Sequence, residues 1–554
     1  MKKRIFYISI LVFGLLANSC NDYLDEELVT DVSADTYYNT EGGFQDAVNA
    51  TYSLLKPFYG QEAGFAMTTF GTDIWTNGSD GGHKFFNFYD TSLNASSAYV
   101  TLAWETWYRG INQANGVINR SADVTMDEAE KNVRIAEARF LRALYYFQIV
   151  TTYGDAHLSL DETLDVEVTA NKTPQAEIYA QAIVPDLEFA IANLPEEQSD
   201  YGRATKPAAE FLLGKALLTR GYTGFSESND ASRAETLFSN VINDYGFSLL
   251  PNFASLFDIS NQINNEVIFV ISNSKEQVDS GIDTYGHRGH LYFLMEYDVR
   301  RGMTRDIANG RPWRRHRPTE FMLTLWDRTI DSRYDSSFKH VWYANKEEPA
   351  TEADPSTGEP ARAALAIGDT AIYIPGPMRN DLWPQSRQDS KPYIVITDDE
   401  YTEVLFPSLN KWIDPTRPDR QKEQGQRDFI LMRLADAYLL RAEAKLQQNN
   451  PAGAADDINV IRERAAVPGQ EAAIQIAAAD VNLDFLLDER ARELAGEGWR
   501  WWDLARTGKL VERVTQYNPQ GAPNIKEYHT VRPIPQNQID RTVGGYPQNP
   551  GYPQ

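Results

Sequence analysis

One cysteine, Cys20, is all that 554 residues contain. No intramolecular disulfide can brace this fold, so packing alone must stabilise it. Long hydrophobic runs are equally scarce. The single apolar stretch, Ile5 to Leu16, is about a dozen residues, too short at 1.5 Å per residue to span roughly 30 Å of hydrocarbon. No second segment reaches membrane length, and the body of the chain is expected to lie outside the bilayer. Positive charge is in deficit too: 53 Lys and Arg face 78 Asp and Glu, a formal net charge of −25. Such a surface repels phosphate backbones and excludes nucleic acid as the partner. Catalytic signatures are missing as well. There is no H-E-x-x-H, no G-x-S-x-G and no P-loop, and neither a cofactor nor a metal is expected. Ser53-Leu-Leu-Lys56 and Ser272-Asn-Ser-Lys275 match S-x-x-K without its companion motifs. His287-Arg-Gly-His290 lacks a third ligand nearby.

What the chain does have begins at its start. Lys2, Lys3 and Arg4 precede the apolar run, and small or polar residues follow it, the pattern of a secretory signal peptide over residues 1–19. The stretch Leu16-Ala17-Asn18-Ser19-Cys20 resembles the lipobox of bacterial lipoproteins. It departs from that pattern in one respect, since Leu16 stands four residues before the cysteine and Ala17 takes the usual leucine position. The resemblance implies a mature chain that begins at a diacylated Cys20, and two or three acyl chains anchor stably where one does not. Asn21-Asp22-Tyr23-Leu24-Asp25-Glu26-Glu27 reads as a solvated tether. Its acidic residues also resemble the surface-export signal of Bacteroidetes lipoproteins.

Downstream, apolar residues recur at helical spacing. Val133, Ala136, Phe140, Leu141, Leu144, Phe147 and Val150 predict a helix over 129–150, stopped by Gly154. Further helices are expected at 174–194, 207–222 and 232–245, the last closed by Gly246. A later pair is expected at 429–447 and 452–464 around the turn Asn449-Asn450-Pro451. In Glu210–Leu218 and Asp436–Ala444, alanines and leucines sit where small and large residues interdigitate between neighbouring helices. The spacing predicts a mainly α, tetratricopeptide-like scaffold of helical hairpins with long loops and a few short strands.

Between 252 and 422 the character changes. Val267–Ile271 is a β-branched run expected to form a buried strand. Around it lie Asn309-Gly-Arg-Pro-Trp313, Pro375-Gly-Pro377 and the stretch Ala350 to Pro360, which has almost nothing to bury. Gly71 to Ser97 is the other loop-rich region. Long loops on a helical scaffold are where binding sites are placed.

Three segments carry a family resemblance. They are Glu137-Ala-Arg-Phe-Leu-Arg-Ala-Leu-Tyr-Tyr-Phe147 running into Tyr153-Gly-Asp155; Leu431 to Ala444; and Leu487 to Leu504 running on to Arg506-Thr-Gly508. With Arg532-Pro-Ile-Pro535 and Gln548-Asn-Pro-Gly-Tyr552 they resemble the SusD/RagB family of outer-membrane nutrient-uptake lipoproteins. The resemblance implies an N-terminal helical part over 20–250 and a C-terminal part with a loop-rich insertion over 251–554, in one compact unit. It implies a surface-exposed, lipid-anchored protein that is not an enzyme. Such a protein captures an oligosaccharide as a lid on a TonB-dependent, SusC-like outer-membrane barrel. Physically, Arg490, Arg492 and Glu493 with Trp499, Trp501 and Trp502 read as a buried ion-pair and aromatic lock, tolerable only if each charge is paired.

The first choice for ligand binding is Asp73-Ile-Trp75-Thr-Asn77-Gly-Ser-Asp80-Gly-Gly-His83. Trp75 offers a ring face for sugar C–H groups, and Asn77 and Asp80 offer partners for hydroxyls. Trp313, with Arg311 and Arg314, is the second choice. The ring of Trp75 is expected to be accessible on the same face as Trp313, whereas Phe85 and Tyr89 are expected in the core. A surface glycan hydrolase and a peptide- or protein-binding uptake component remain the alternatives, because sequence spacing cannot reveal a carboxylate pair across a cleft.

Overall fold

The computed structural model describes residues 37–273, 284–356 and 360–553. The signal segment, Cys20, the acidic stretch behind it, Lys275 and part of the Ala350–Pro360 loop lie outside them.

The helices follow the apolar spacing. Helix α1 (Glu41–Ser53) starts at Thr40, whose hydroxyl accepts the Gly43 N–H at 3.1 Å. Helix α2 (Ala98–Arg120) adds to the expected helices, with Val100, Ala103, Trp104, Trp107, Ile111 and Ala114 on its buried face. Helix α3 (Glu128–Tyr153) matches its expected span. Asp127 caps it by accepting the Ala129 and Glu130 N–H groups, and Gly154 ends it at φ 78°, a region that favours glycine. Helix α4 (Val184–Asn193) is entered through Gln175–Ile178 and a π turn at Tyr179–Ile183. Helices α5 (Lys206–Arg220) and α6 (Asp230–Asn243) form one hairpin, and α7 (Leu434–Gln447) and α8 (Pro451–Ala465) form another. Helix α6 packs on α7, so the early and late hairpins share one scaffold. Gly214 shows why small residues are needed here: a Cβ would lie 2.9 Å from the Phe238 ring across the hairpin. Helices α9 (Leu483–Glu493), α10 (Arg500–Arg506) and α11 (Leu510–Tyr517) close the fold. With 45% of the structure helical and 8% strand, the scaffold is mainly α.

The strands are short, among them β1 (Trp75–Asn77), β2 (Val267–Ile271), β3 (His316–Pro318), β4 (Val341–Tyr343), β5 (Thr370–Tyr373), β6 (Ile394–Val395) and β7 (Phe429–Arg433). Strand β1 pairs antiparallel with β3, β2 pairs antiparallel with β7, and β5 lies between β4 and β6. Residues 429–433 correct the helix expected from 429 to 447. They are a strand, and α7 begins only at Leu434. All five are buried, and a fully buried apolar run has no periodicity to separate strand from helix.

The main core draws residues from Leu55 to Tyr552, and a smaller one under β4–β5–β6 stacks Trp342 on Tyr297 at 4.5 Å. The anticipated lock is present. Trp499, Trp501 and Trp502 are all buried. Arg490 donates to Asp436 at 2.6 Å and to Asp503 at 2.8 Å, while Glu493 meets Arg333, Arg433 and Arg464. Burial alone would raise the Asp503 carboxyl, but Arg490 and Arg506 overcome it and hold the group well below the usual range. Every charge at this junction has a partner, which is the condition for keeping it inside.

Candidate functional site

The two loop-rich regions meet through β1 and β3, with Trp75 opposite Pro318, Thr76 opposite Arg317 and Asn77 opposite His316. Beyond the strands the approach continues: the Gly78 N–H donates to the Arg315 carbonyl at 2.9 Å and the Asp80 N–H to the Arg314 carbonyl at 3.4 Å. A side chain at Gly78 would overlap the Arg314 carbonyl oxygen, so only glycine allows this contact. The structure thus joins the first and second candidate segments.

It does not present their side chains as expected. The Trp75 ring is fully buried and sits edge-on against Phe293 at 4.9 Å, so it packs the loop down. Asn77 is buried as well, with neither amide atom hydrogen-bonded. Asp80 is exposed and accepts the Gly81 N–H at 2.7 Å. Trp313 is half-buried between guanidinium groups, Arg315 at 4.2 Å and Arg311 at 5.5 Å from its ring. Arg314, in the left-handed region at φ 50°, pairs with Glu296. Asp73, at the head of the first segment, is buried between Arg500 and Arg513. Burial pushes its carboxyl up, and the two arginines more than reverse that. Of the two rings expected in the core, Tyr89 is buried and Phe85 is half-buried against it.

Strand periodicity explains where the site lies instead. Trp75 and Asn77 share one face of β1, and Thr76 takes the other. Thr76 lines a groove of about 830 Å³. The short helix Glu320–Leu323 and the end of α11 supply its walls, and Met378, Asp398, Asp399 and Tyr401 its rim. Phe321 and Tyr517 stack directly on each other in its lining, with ring centroids 3.7 Å apart and planes 16° from parallel, and both are half-buried. The Tyr401 hydroxyl is buried without a hydrogen-bond partner. Met378 is 69% exposed and holds φ 56°, a costly conformation for a non-glycine residue of the kind that gathers at ligand clamps. The groove is fixed from behind: the Thr76 hydroxyl donates to Gln520 at 2.7 Å, and Asn518 donates to the Thr72 and Trp75 carbonyls and to Asn87.

This chemistry suits reversible binding. Aromatic faces take the C–H side of a sugar ring, and carboxylates and amides take its hydroxyls. No group of three or more His, Asp or Glu among the described residues could hold a metal ion. His287 and His290 are buried, with His287 Nδ1 accepting the Gly289 N–H at 3.1 Å and His290 Nε2 lying 2.8 Å from the Glu423 carbonyl. No signal in the sequence marks Phe321 or Tyr517, since their contact is long-range and each sits at the end of an ordinary helix.

The fold is thus a scaffold of helical hairpins with an open groove among its loops, partly lined by aromatic rings. The chain belongs to the SusD family, whose model matches residues 242–552. A second family model, described as starch-binding associating with outer membrane, matches residues 22–220. The chain is 28% identical to SusD-like protein P25 of Formosa agariphila, over 98% of this chain and 99% of that one. It is 27% identical to the starch-binding protein SusD of Bacteroides thetaiotaomicron, over 83% of this chain and 79% of that one. Among solved structures, a laminarin binding SusD-like protein superposes with a TM-score of 0.69 at 24% identity, covering 93% of this chain and all of the other. NanU of Bacteroides fragilis gives 0.70 at 21%, covering 95% of this chain and all of the other. These likenesses establish the fold. No helix among the described residues is long and apolar enough to cross a membrane.

Proposed function

We propose that this protein captures an oligosaccharide at the cell surface and hands it to a TonB-dependent outer-membrane barrel without chemically altering it. The observation that carries the reading is the Phe321–Tyr517 stack facing a groove of about 830 Å³, the size of ligand sites in general. Sugar rings lie on the two aromatics and on Tyr401, and hydroxyls meet Gln516 and the rim carboxylates. Trp75 and Asn77 act from behind, by holding β1 where Thr76 reaches the groove. Asp80, Trp313 and Arg314 lie outside the groove lining and contact only longer chains. Cys20, acylated, tethers the protein to the outer membrane, and the segment behind it directs the protein outward. The starch- and laminarin-binding names of its relatives support the glycan class.

Affinity electrophoresis through gels containing single polysaccharides tests this reading. Retardation by at least one glycan, with no reducing ends released, is the expected result. Release of reducing ends moves the protein to the hydrolase class, and retention of peptides alone moves it to peptide uptake.

A further inference from the structure

We infer that the groove selects neutral glycans and rejects polyanionic ones, an inference that rests on the capture reading above. Its lining holds three carboxylates, Glu320, Asp398 and Asp399, against one guanidinium, Arg317. Among the described residues that cation is in no ion pair and its Nε is buried without a hydrogen-bond partner, but it is the lone positive charge of the lining and the three carboxylates outnumber it. A volume of 830 Å³ is that of a cube roughly 9 Å on a side, about one Debye length at physiological salt, so a uronate or sulfate inside would feel every rim carboxylate.

The neighbouring sequence looks like an anion site and is not one. Arg311, Arg314, Arg315 and Arg317 crowd seven residues, yet Arg311 pairs with Glu423, Arg314 with Glu296, and Arg315 faces Glu62. Of this run only Arg317 lines the groove, where three carboxylates outnumber it.

The same carboxylates favour uncharged sugars. An ionised carboxylate only accepts hydrogen bonds, and a sugar hydroxyl donates one, whereas a ligand carboxylate or sulfate has no proton to give. Asp398 accepts the Met378 N–H at 2.9 Å and Asp399 accepts the Asn380 amide at 3.0 Å, so both are held in place at the rim. Glu320 is exposed at the first turn of its short helix. These three residues set the charge class of the ligand.

The test uses matched probes: polygalacturonate and alginate with their carboxyl-reduced forms, a sulfated galactan with its desulfated form, and a β-glucan, an α-glucan and a xylan. Dissociation constants are measured on the chain from residue 20 onward, at 150 mM and 1 M NaCl. Every bound probe should be neutral, and any neutral form should bind at least tenfold tighter than its acidic parent. The gap should narrow at 1 M salt, where the screening length falls to about 3 Å. It should also narrow in Glu320→Gln/Asp399→Asn, whose thermal melt confirms folding. An acidic probe bound as tightly as its neutral form, and lost in Phe321→Ala, overturns the neutral class and leaves capture in the groove standing. If no probe binds, or all bind Phe321→Ala as well as wild type, the capture reading fails and this inference with it.

Discussion

Arg500 holds Asp73 in a buried, two-pronged ion pair, with Nε 2.8 Å from Oδ1 and Nη2 2.5 Å from Oδ2. This contact ties the segment leading into β1 to the closing helices, and Arg513 reinforces it at 2.8 Å. The groove wall therefore depends on a charge pair sealed from water. Removing one member leaves the other buried and uncompensated.

Asp73→Ala should destabilise the protein by about 3–5 kcal/mol, the cost of breaking a buried pair. Chemical denaturation checks this. A loss under about 1 kcal/mol would mean that solvent reaches the pair.

Trp75→Ala should destabilise strongly, by about 3–5 kcal/mol, because a fully buried indole leaves a cavity. Any weakening of glycan binding should track unfolding. A variant that melts with wild type but no longer binds would return Trp75 to the site.

Trp75 also shows how far the sequence was legible. Helices α3, α5, α6 and α8 follow from apolar periodicity and end signals, and so does the lock around Arg490 and Glu493. The two loop regions were legible as places for a site. Which side chains face the groove was not, because that is fixed by the register of a three-residue strand. One position along β1 separates the buried Trp75 from the groove-lining Thr76. Phe321 and Tyr517 meet only in the folded chain, and nothing local to either announces it.

Acid should unfold the protein in two stages. Burial pulls the His290 imidazole down to about 3, and His287 and His316 are also pulled well below 6.5. A depressed histidine binds its proton more readily in the unfolded chain. That contribution to stability is complete above pH 6.5 and falls as pH drops toward 3. Burial would raise Glu489, but Arg333, Arg492 and Arg462 hold it at about 2, so its contribution is complete above about 4.5 and lost toward 2. Melting temperatures from pH 8 to pH 3 should fall first below 6.5 and more steeply below 4.5. A flat profile down to pH 4 would refute the histidine stage.

Cys20→Ala should shift the protein from the outer-membrane fraction to soluble fractions in cells lacking its barrel partner. Continued membrane fractionation of that variant would remove the acyl anchor from the account.

The central claim is that sugar stacks on Phe321 and Tyr517. Once a glycan is identified, calorimetric titration into wild type, Phe321→Ala and Tyr517→Ala measures it directly. Each variant should keep its fold and lose about 2 kcal/mol of binding, roughly thirtyfold in Kd. Equal affinities in all three proteins would place the ligand elsewhere and contradict the account.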